Sequence, residues 1–273
     1  MTSAALSPVG ILIREWRASR GKSQLALALH AGISSRHLSF IETGRSVPSR
    51  DMVLLLSDAL DVPLRERNSL LGAAGYAPLF PETALEAPEM VQVRNALEAI
   101  LKGHGKNPTV VVNRRCDIIM SNDASRAVMM RLLPPAALPL ATNLVRLIFS
   151  ADGAKPFIEN WEEVALELAH RRLRDSPSDG QALLAEIAGP NVRIPALSPA
   201  LTSSIRPHAF SLPIRFRRGD LRLDFFTTVT TLLTPLDVTV QELRIESMFP
   251  ADARTERELH AIVEGREAFA VEH

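Results

Sequence analysis

Residues 23–48 read SQLALALHAGISSRHLSFIETGRSVP, and this stretch decides how the N-terminal third is organised. Ser23 is suited to cap a helix opening at Gln24, because a serine hydroxyl accepts a hydrogen bond from a free N–H of the first turn. Gly32 supplies the turn, where a positive φ is open to a residue without Cβ. Ser34 or Ser35 caps a second helix, predicted to run to about Thr43 and to stop at Gly44. Two short helices joined in this way make a helix-turn-helix. Leu27, Ala28, Ala31, Ile33, Leu38 and Ile41 fall on the inward faces, with small Ala28 where the helices must approach closely. Gln24, Ser35, Arg36, His37, Ser39 and Phe40 are left outside, with side chains able to meet base edges and phosphates.

Working outward, Val9, Leu12, Ile13 and Trp16 repeat at the spacing of one buried helical face, so a first helix runs from Pro8 to Gly21. Pro48 breaks the chain and Ser49 caps a fourth helix with Val53, Leu56 and Leu60 inside. Pro63 opens a fifth, ending near Gly75. Leu25 and Leu29 form an apolar pair on the far side of the second helix; partner contact and partial cover within the domain are both open readings.

The order Gln24, Leu27-Ala28, Gly32-Ile33-Ser34, Leu38-Ser39, Ile41-Glu42, Gly44-Arg45 and Pro48 resembles the phage-repressor, or XRE, type of helix-turn-helix. The resemblance implies that Gln24 contacts a phosphate or base and that Ser35 and Arg36 read the major groove; Ser34, His37, Ser39 and Phe40 complete the candidate DNA-binding set. It also implies that Arg45 touches backbone beyond the recognition helix. Arg17 and Glu42 match the positions of a structural ion pair in that family. Phe40 departs from the polar residue often found at its position; contact with a thymine methyl and inward packing are the two alternatives.

The chain has 273 residues, enough for a second domain with its own core. Its net charge is zero, but residues 1–78 carry nine Lys/Arg against six Asp/Glu, and the remainder 22 against 25. The basic excess lies on the half expected to meet DNA. Cys116 is the only cysteine, so an intrachain disulfide is excluded and a reducing cytoplasm is expected. No secretory signal and no charge-free apolar run long enough for a membrane span is seen.

Three prolines, Pro78, Pro81 and Pro88, mark residues 76–89 as a linker between a helix-turn-helix domain at 8–75 and a second domain at 90–265. Tyr76, Leu79 and Phe80 suggest that part of this linker docks. Met90, Val93, Leu97, Ile100 and Leu101 make one helical stripe. Thr109 to Val112 and Asp117 to Met120 read as a hairpin. Short helices are expected from Asn122 or Asp123 to Leu133, from Asn143 to Phe149, from Trp161 to Leu173 and from Ser178 to Ala188, with an irregular excursion over 189–208. Alternation then predicts strands around Leu212 to Arg217, Leu221 to Thr230 and Glu242 to Phe249, a meander with one wet and one apolar face. Asp252 caps a last helix.

GYAP after the fifth helix, PTVVVNRRCDIIMSND, the helical middle and the pair of strands ending in DFFTTVTTL are similar to the MmyB-like ligand-binding domain. That resemblance implies a PAS-like fold, an antiparallel sheet with helices on one side enclosing an apolar pocket; with the five helices of the head and the five strands counted above, the chain is expected to be α+β. It further implies a small, fatty-acid-like ligand. Alternation selects Val111, Ile119, Phe225, Val229 and Ile245 as pocket residues.

No P-loop, dinucleotide fingerprint or zinc spacing occurs, and the seven histidines are scattered. An enzyme and a metal or organic cofactor are therefore not expected. Arg171, Arg172 and Arg174 read either as surface charge or as a clamp for a ligand carboxylate. The expected function is a ligand-responsive, homodimeric, sequence-specific regulator acting on double-stranded operator DNA in the cytoplasm, away from membranes. The alternative is a DNA-binding protein whose second domain is a ligand-free interaction platform.

Overall fold

Serine hydroxyls start three of the first five helices. In the computed structural model, which describes residues 8–175, 185–186, 212–232 and 235–265, Ser23, Ser34 and Ser49 accept from the backbone N–H groups of Ala26, His37 and Met52 at 3.1, 3.1 and 3.2 Å. These contacts fix the first turns of α2 (Gln24–His30), α3 (Ser35–Glu42) and α4 (Arg50–Ala59). Ser34, not Ser35, is the cap of α3. α1 (Pro8–Ser19) and α5 (Leu64–Ala73) complete the head, α5 opening after Pro63. Gly32 has a φ of 66° in the turn between α2 and α3.

One apolar cluster joins the five helices, centred on Ile13, Leu27, Leu38, Ile41, Leu56 and Leu60. Gly10 lets α1 lie directly on the end of α3: a Cβ there would collide with the carbonyl oxygen of Ile41. The following chain docks on α5, as Asn68 Oδ1 accepts from Leu79 N and Phe80 N at 2.9 and 3.1 Å.

The described residues divide into two units, the first holding 8–83, 173–175 and 235–241, the second 84–172, 185–186, 212–232 and 242–265. The second unit is built on a five-stranded antiparallel sheet of order β2-β1-β5-β4-β3. The strands are β1 (Thr109–Val112), β2 (Ile118–Ser121), β3 (Leu212–Arg218), β4 (Leu221–Thr230) and β5 (Arg244–Pro250). β3, β4 and β5 form the expected meander, and β1 joins it by pairing Val111 with Ile245. The helices are α6 (Val91–Gly103), α7 (Asp123–Leu132), α8 (Leu144–Phe149), α9 (Trp161–Asp175) and α11 (Ala253–Val263). Asn122, Asn143 and Asp252 cap α7, α8 and α11.

Three expectations need correction. The sheet is not wet on one whole face and helices do not keep to one side. α6 covers the face of β1 and β5 that carries Val111 and Ile245, through Leu97 and Leu101. The alternation holds only toward the β4 wing, where Arg222 and Phe226 are exposed. Secondly, residues expected to lead into β5 form a short helix, α10 (Val238–Glu242). It is tied within the first unit near both ends, with Val238 N donating to Pro81 O at 2.8 Å and Leu64 N donating to Gln241 Oε1 at 2.6 Å. Thirdly, three 3₁₀ segments, Pro88–Met90, Pro135–Thr142 and Lys155–Phe157, begin where no regular element was expected. The expected frayed residues 1–7, nearly all of the expected helix at 178–188, and the excursion at 189–208 lie outside the described residues.

Candidate DNA interface and ligand cavity

α3 is held by a buried acid. Glu42, 2% exposed, closes α3 and receives both Nε and Nη2 of Arg17 from α1, at 2.7 and 2.9 Å. These hydrogen bonds raise the Arg17 pKa above its ordinary value, against the opposing effect of burial. Gln24 Nε2 also donates to Glu42 Oε2 at 2.8 Å, and Arg17 Nη1 reaches the carbonyl oxygen of Lys22 at 2.9 Å. One carboxylate thus fixes α1, the start of α2 and the end of α3 together. Its two oxygens are matched by a planar fork, the geometry in which a buried pair holds most firmly.

Of the candidate DNA-contacting residues, Ser34, Ser35, Arg36 and Arg45 are exposed, and Gln24, His37, Ser39 and Phe40 are half-buried. Phe40 lies between two cations: the guanidinium carbons of Arg36 and Arg45 stand 5.4 and 5.8 Å from its ring centre. An aromatic face at that range attracts a guanidinium, so Phe40 orders two long side chains on one surface. Leu25 and Leu29 are exposed, 60% and 73%.

In the second unit a cavity of about 110 Å³ lies between the sheet and its helices. Val110, Ile214, Phe216, Thr227 and Met248 form the sheet side. α7 contributes Ser125, Val128, Met129 and Leu132, and α8 contributes Leu144, Leu147 and Ile148. Asn122 braces this end. Its Oδ1 accepts from Thr109 N and Ser125 N at 3.1 and 2.9 Å, and its Nδ2 donates to Asn107 O at 2.8 Å. Trp161 Nε1 donates to Ile148 O at 2.8 Å and steadies α8 against α9.

None of the five residues selected by alternation lines this cavity. Val111 and Ile245 face α6. Phe225 shares the cavity's face of the sheet but is packed with Val128, Leu132, Leu223 and Leu259. Ile119 and Val229 are exposed, 38% and 40%. The physical reason is that β1 is buried throughout, so alternation distinguishes its two faces without saying which one encloses space. Arg171 Nη1 donates to Glu246 Oε1 at 3.0 Å, and the side chains of Arg172 and Arg174 lie outside the described residues.

The family model described as "MmyB-like transcription regulator ligand binding domain" matches residues 93–262, more than half of the chain. The chain belongs to the MmyB-like transcription regulators. A model described as "Helix-turn-helix" matches residues 13–67 of this regulator, which contain α2 and α3. Among curated proteins the regulator is 39% identical over 88 residues to "Uncharacterized HTH-type transcriptional regulator RghRB" of Bacillus subtilis (strain 168). That match spans 32% of the regulator and 61% of the relative. A solved structure titled "Structure of an RNA-binding Light-Oxygen-Voltage Receptor" matches 95% of the regulator and 63% of that chain, at 14% identity and a TM-score of 0.30, too low to carry an argument. The chain thus carries a helix-turn-helix followed by a ligand-binding domain of the MmyB-like type, and it spans 61% of the curated relative's length. Among its described residues no helix is long and apolar enough to cross a membrane.

Sequence reasoning missed three positions that shape these two regions. Gly10 carries no motif, although a glycine facing a buried stripe was a usable signal. Ser125 and Glu246 line the cavity as polar residues, and polar residues fall outside any search for an apolar wall.

Proposed function

We propose that this protein binds operator DNA as a homodimer and senses a small apolar ligand in the cavity of its second unit, without catalysing a reaction. The cavity carries this reading: it is walled by apolar side chains of both sheet and helices within a ligand-binding domain that follows a helix-turn-helix. Arg36 and Ser35 read base edges, Gln24, Ser34, His37 and Ser39 support the approach, and Arg45 meets backbone. Phe40 acts through the two arginines it orders. One such helix reads few base pairs, so a two-fold pair on half-sites about one turn apart supplies specificity. A fatty-acyl chain is one ligand chemistry compatible with apolar walls; at the volume of this cavity it is a short one. The protein works in the cytoplasm, where operator DNA lies. Binding changes DNA affinity only through unequal affinity for the DNA-competent and DNA-incompetent arrangements.

The test begins with selection of binding sites from random duplexes. Arg36→Ala is expected to lower affinity for the selected site by about tenfold or more, with an unchanged melting temperature. Equal affinity of Arg36→Ala and wild type would remove Arg36 from the interface. Native mass spectrometry of the dimer is expected to detect a small apolar molecule released on denaturation. A dimer with no such molecule, unresponsive to added apolar compounds, would instead indicate an interaction platform.

A further inference from the structure

We infer that the cavity selects an uncharged apolar molecule of about the bulk of a benzene ring carrying one hydrogen-bonding oxygen, and that Ser125 recognises that oxygen. The inference rests on the reading of the cavity as the ligand site. Three observations converge on it.

The first is size. An apolar cavity of about 150 Å³ holds one benzene molecule, and this one measures about 110 Å³. The second is charge. Among the described lining residues the only ionisable side chain is Glu246, and the nearby cation, Arg171, already donates to it at 3.0 Å. A ligand carboxylate would therefore enter beside a carboxylate whose counter-charge is engaged, in surroundings that strengthen the repulsion.

The third is an unmet hydroxyl. Ser125 is 1% exposed and lines the cavity, and its Oγ has no hydrogen-bond partner among the described residues. A helical serine commonly bonds back to the carbonyl oxygen four residues earlier. Here that oxygen, on Ser121, accepts from Arg126 Nη1 at 2.7 Å. The neighbouring hydroxyl of Ser247 is occupied, with Thr109 Oγ1 at 3.3 Å and His104 Nε2 at 3.1 Å. Ser125 thus offers both a donor and an acceptor to a molecule in the cavity. A buried hydroxyl left without a partner is costly, and a ligand oxygen that meets it recovers that cost on binding.

Calorimetric titration of the full-length protein with toluene, phenol, benzoate and naphthalene tests this. Toluene and phenol are expected to bind, and benzoate at least about tenfold more weakly than phenol. Ser125→Ala is expected to weaken phenol relative to toluene by about 2- to 12-fold while toluene keeps its affinity. Glu246→Gln is expected to improve benzoate binding, because it removes the repelling charge and releases Arg171. Benzoate binding as tightly as phenol to the wild type overturns the assignment of charge. A phenol-to-toluene ratio unmoved by Ser125→Ala overturns the role of Ser125, and naphthalene binding more tightly than toluene overturns the size. In each of these cases the cavity stands as a ligand site. Failure of all four compounds to bind removes that underlying reading as well.

Discussion

The two units pack their interiors differently. In the helical head a single apolar cluster reaches from Val9 to Leu71 through all five helices. In the second unit the buried apolar residues fall into four clusters, and the cavity runs among the side chains that border them. Among the described residues the head's one buried carboxylate, Glu42, sits in a set of three side-chain hydrogen bonds, whereas in the second unit the hydroxyl of Ser125 is unmatched. Close packing and full satisfaction produce a rigid surface, which base readout needs. A gap with one unmatched polar atom produces a place whose energy changes when a molecule enters.

The strongest challenge to this contrast is Glu42→Ala. It leaves the Arg17 guanidinium without its main partner in a mostly enclosed position and releases Gln24, so the head should lose about 3 kcal/mol. Thermal unfolding of the full chain should show an early transition belonging to the head, with the transition of the second unit unmoved. A single, unshifted transition would mean that the ion pair contributes little to the head's rigidity.

A like-for-like pair sharpens the contrast in packing. Val53 on α4 and Val128 on α7 are both fully buried helical valines. Val53→Leu adds a methylene to a filled core and should cost about 1–2 kcal/mol. Val128→Leu adds it beside the cavity and should be within about 0.5 kcal/mol of neutral, as the space absorbs the extra group. Equal losses in urea unfolding would show that the two interiors are equally tight.

The smallest effect separates a local device from both cores. Asp252 caps α11 by accepting from Thr255 N at 2.7 Å, and this hydrogen bond holds its carboxyl below the ordinary carboxylate range. A lowered folded-state pKa means that the contribution is complete above the unfolded value of about 3.9 and fades as pH falls through the lower folded value. Asp252→Ala should cost about 1 kcal/mol near pH 7. The difference from wild type should shrink in the acid limb of a pH–stability curve; a difference constant down to pH 2 would assign the loss to something other than the cap's charge.

Much of the head was legible in the sequence because its signals are local. Ser23, Ser34 and Ser49 each act on an N–H three residues away, and Gly32 acts on its own φ. The helical period then assigns Leu27, Leu38 and Ile41 to the interior without reference to other elements. In the second unit the strands were legible, but their use was not. Val238-Thr239-Val240 is β-branched, a composition that favours strand, yet it forms α10, whose first N–H is met by Pro81, far away in the chain. The burial of Val111 and the exposure of Ile119 depend on where α6 lies, which no period along β1 or β2 encodes.

By itself the sequence determined the caps, the turn of the helix-turn-helix, the apolar stripes and the existence of five strands, since each follows from the chemistry of neighbouring residues. Only the tertiary structure decided that β1 pairs with β5, that both faces of that pair are covered, and that the remaining space opens beside Ser125. Those outcomes follow from the fit between surfaces distant in the chain, where shape and volume, not local preference, set the energy.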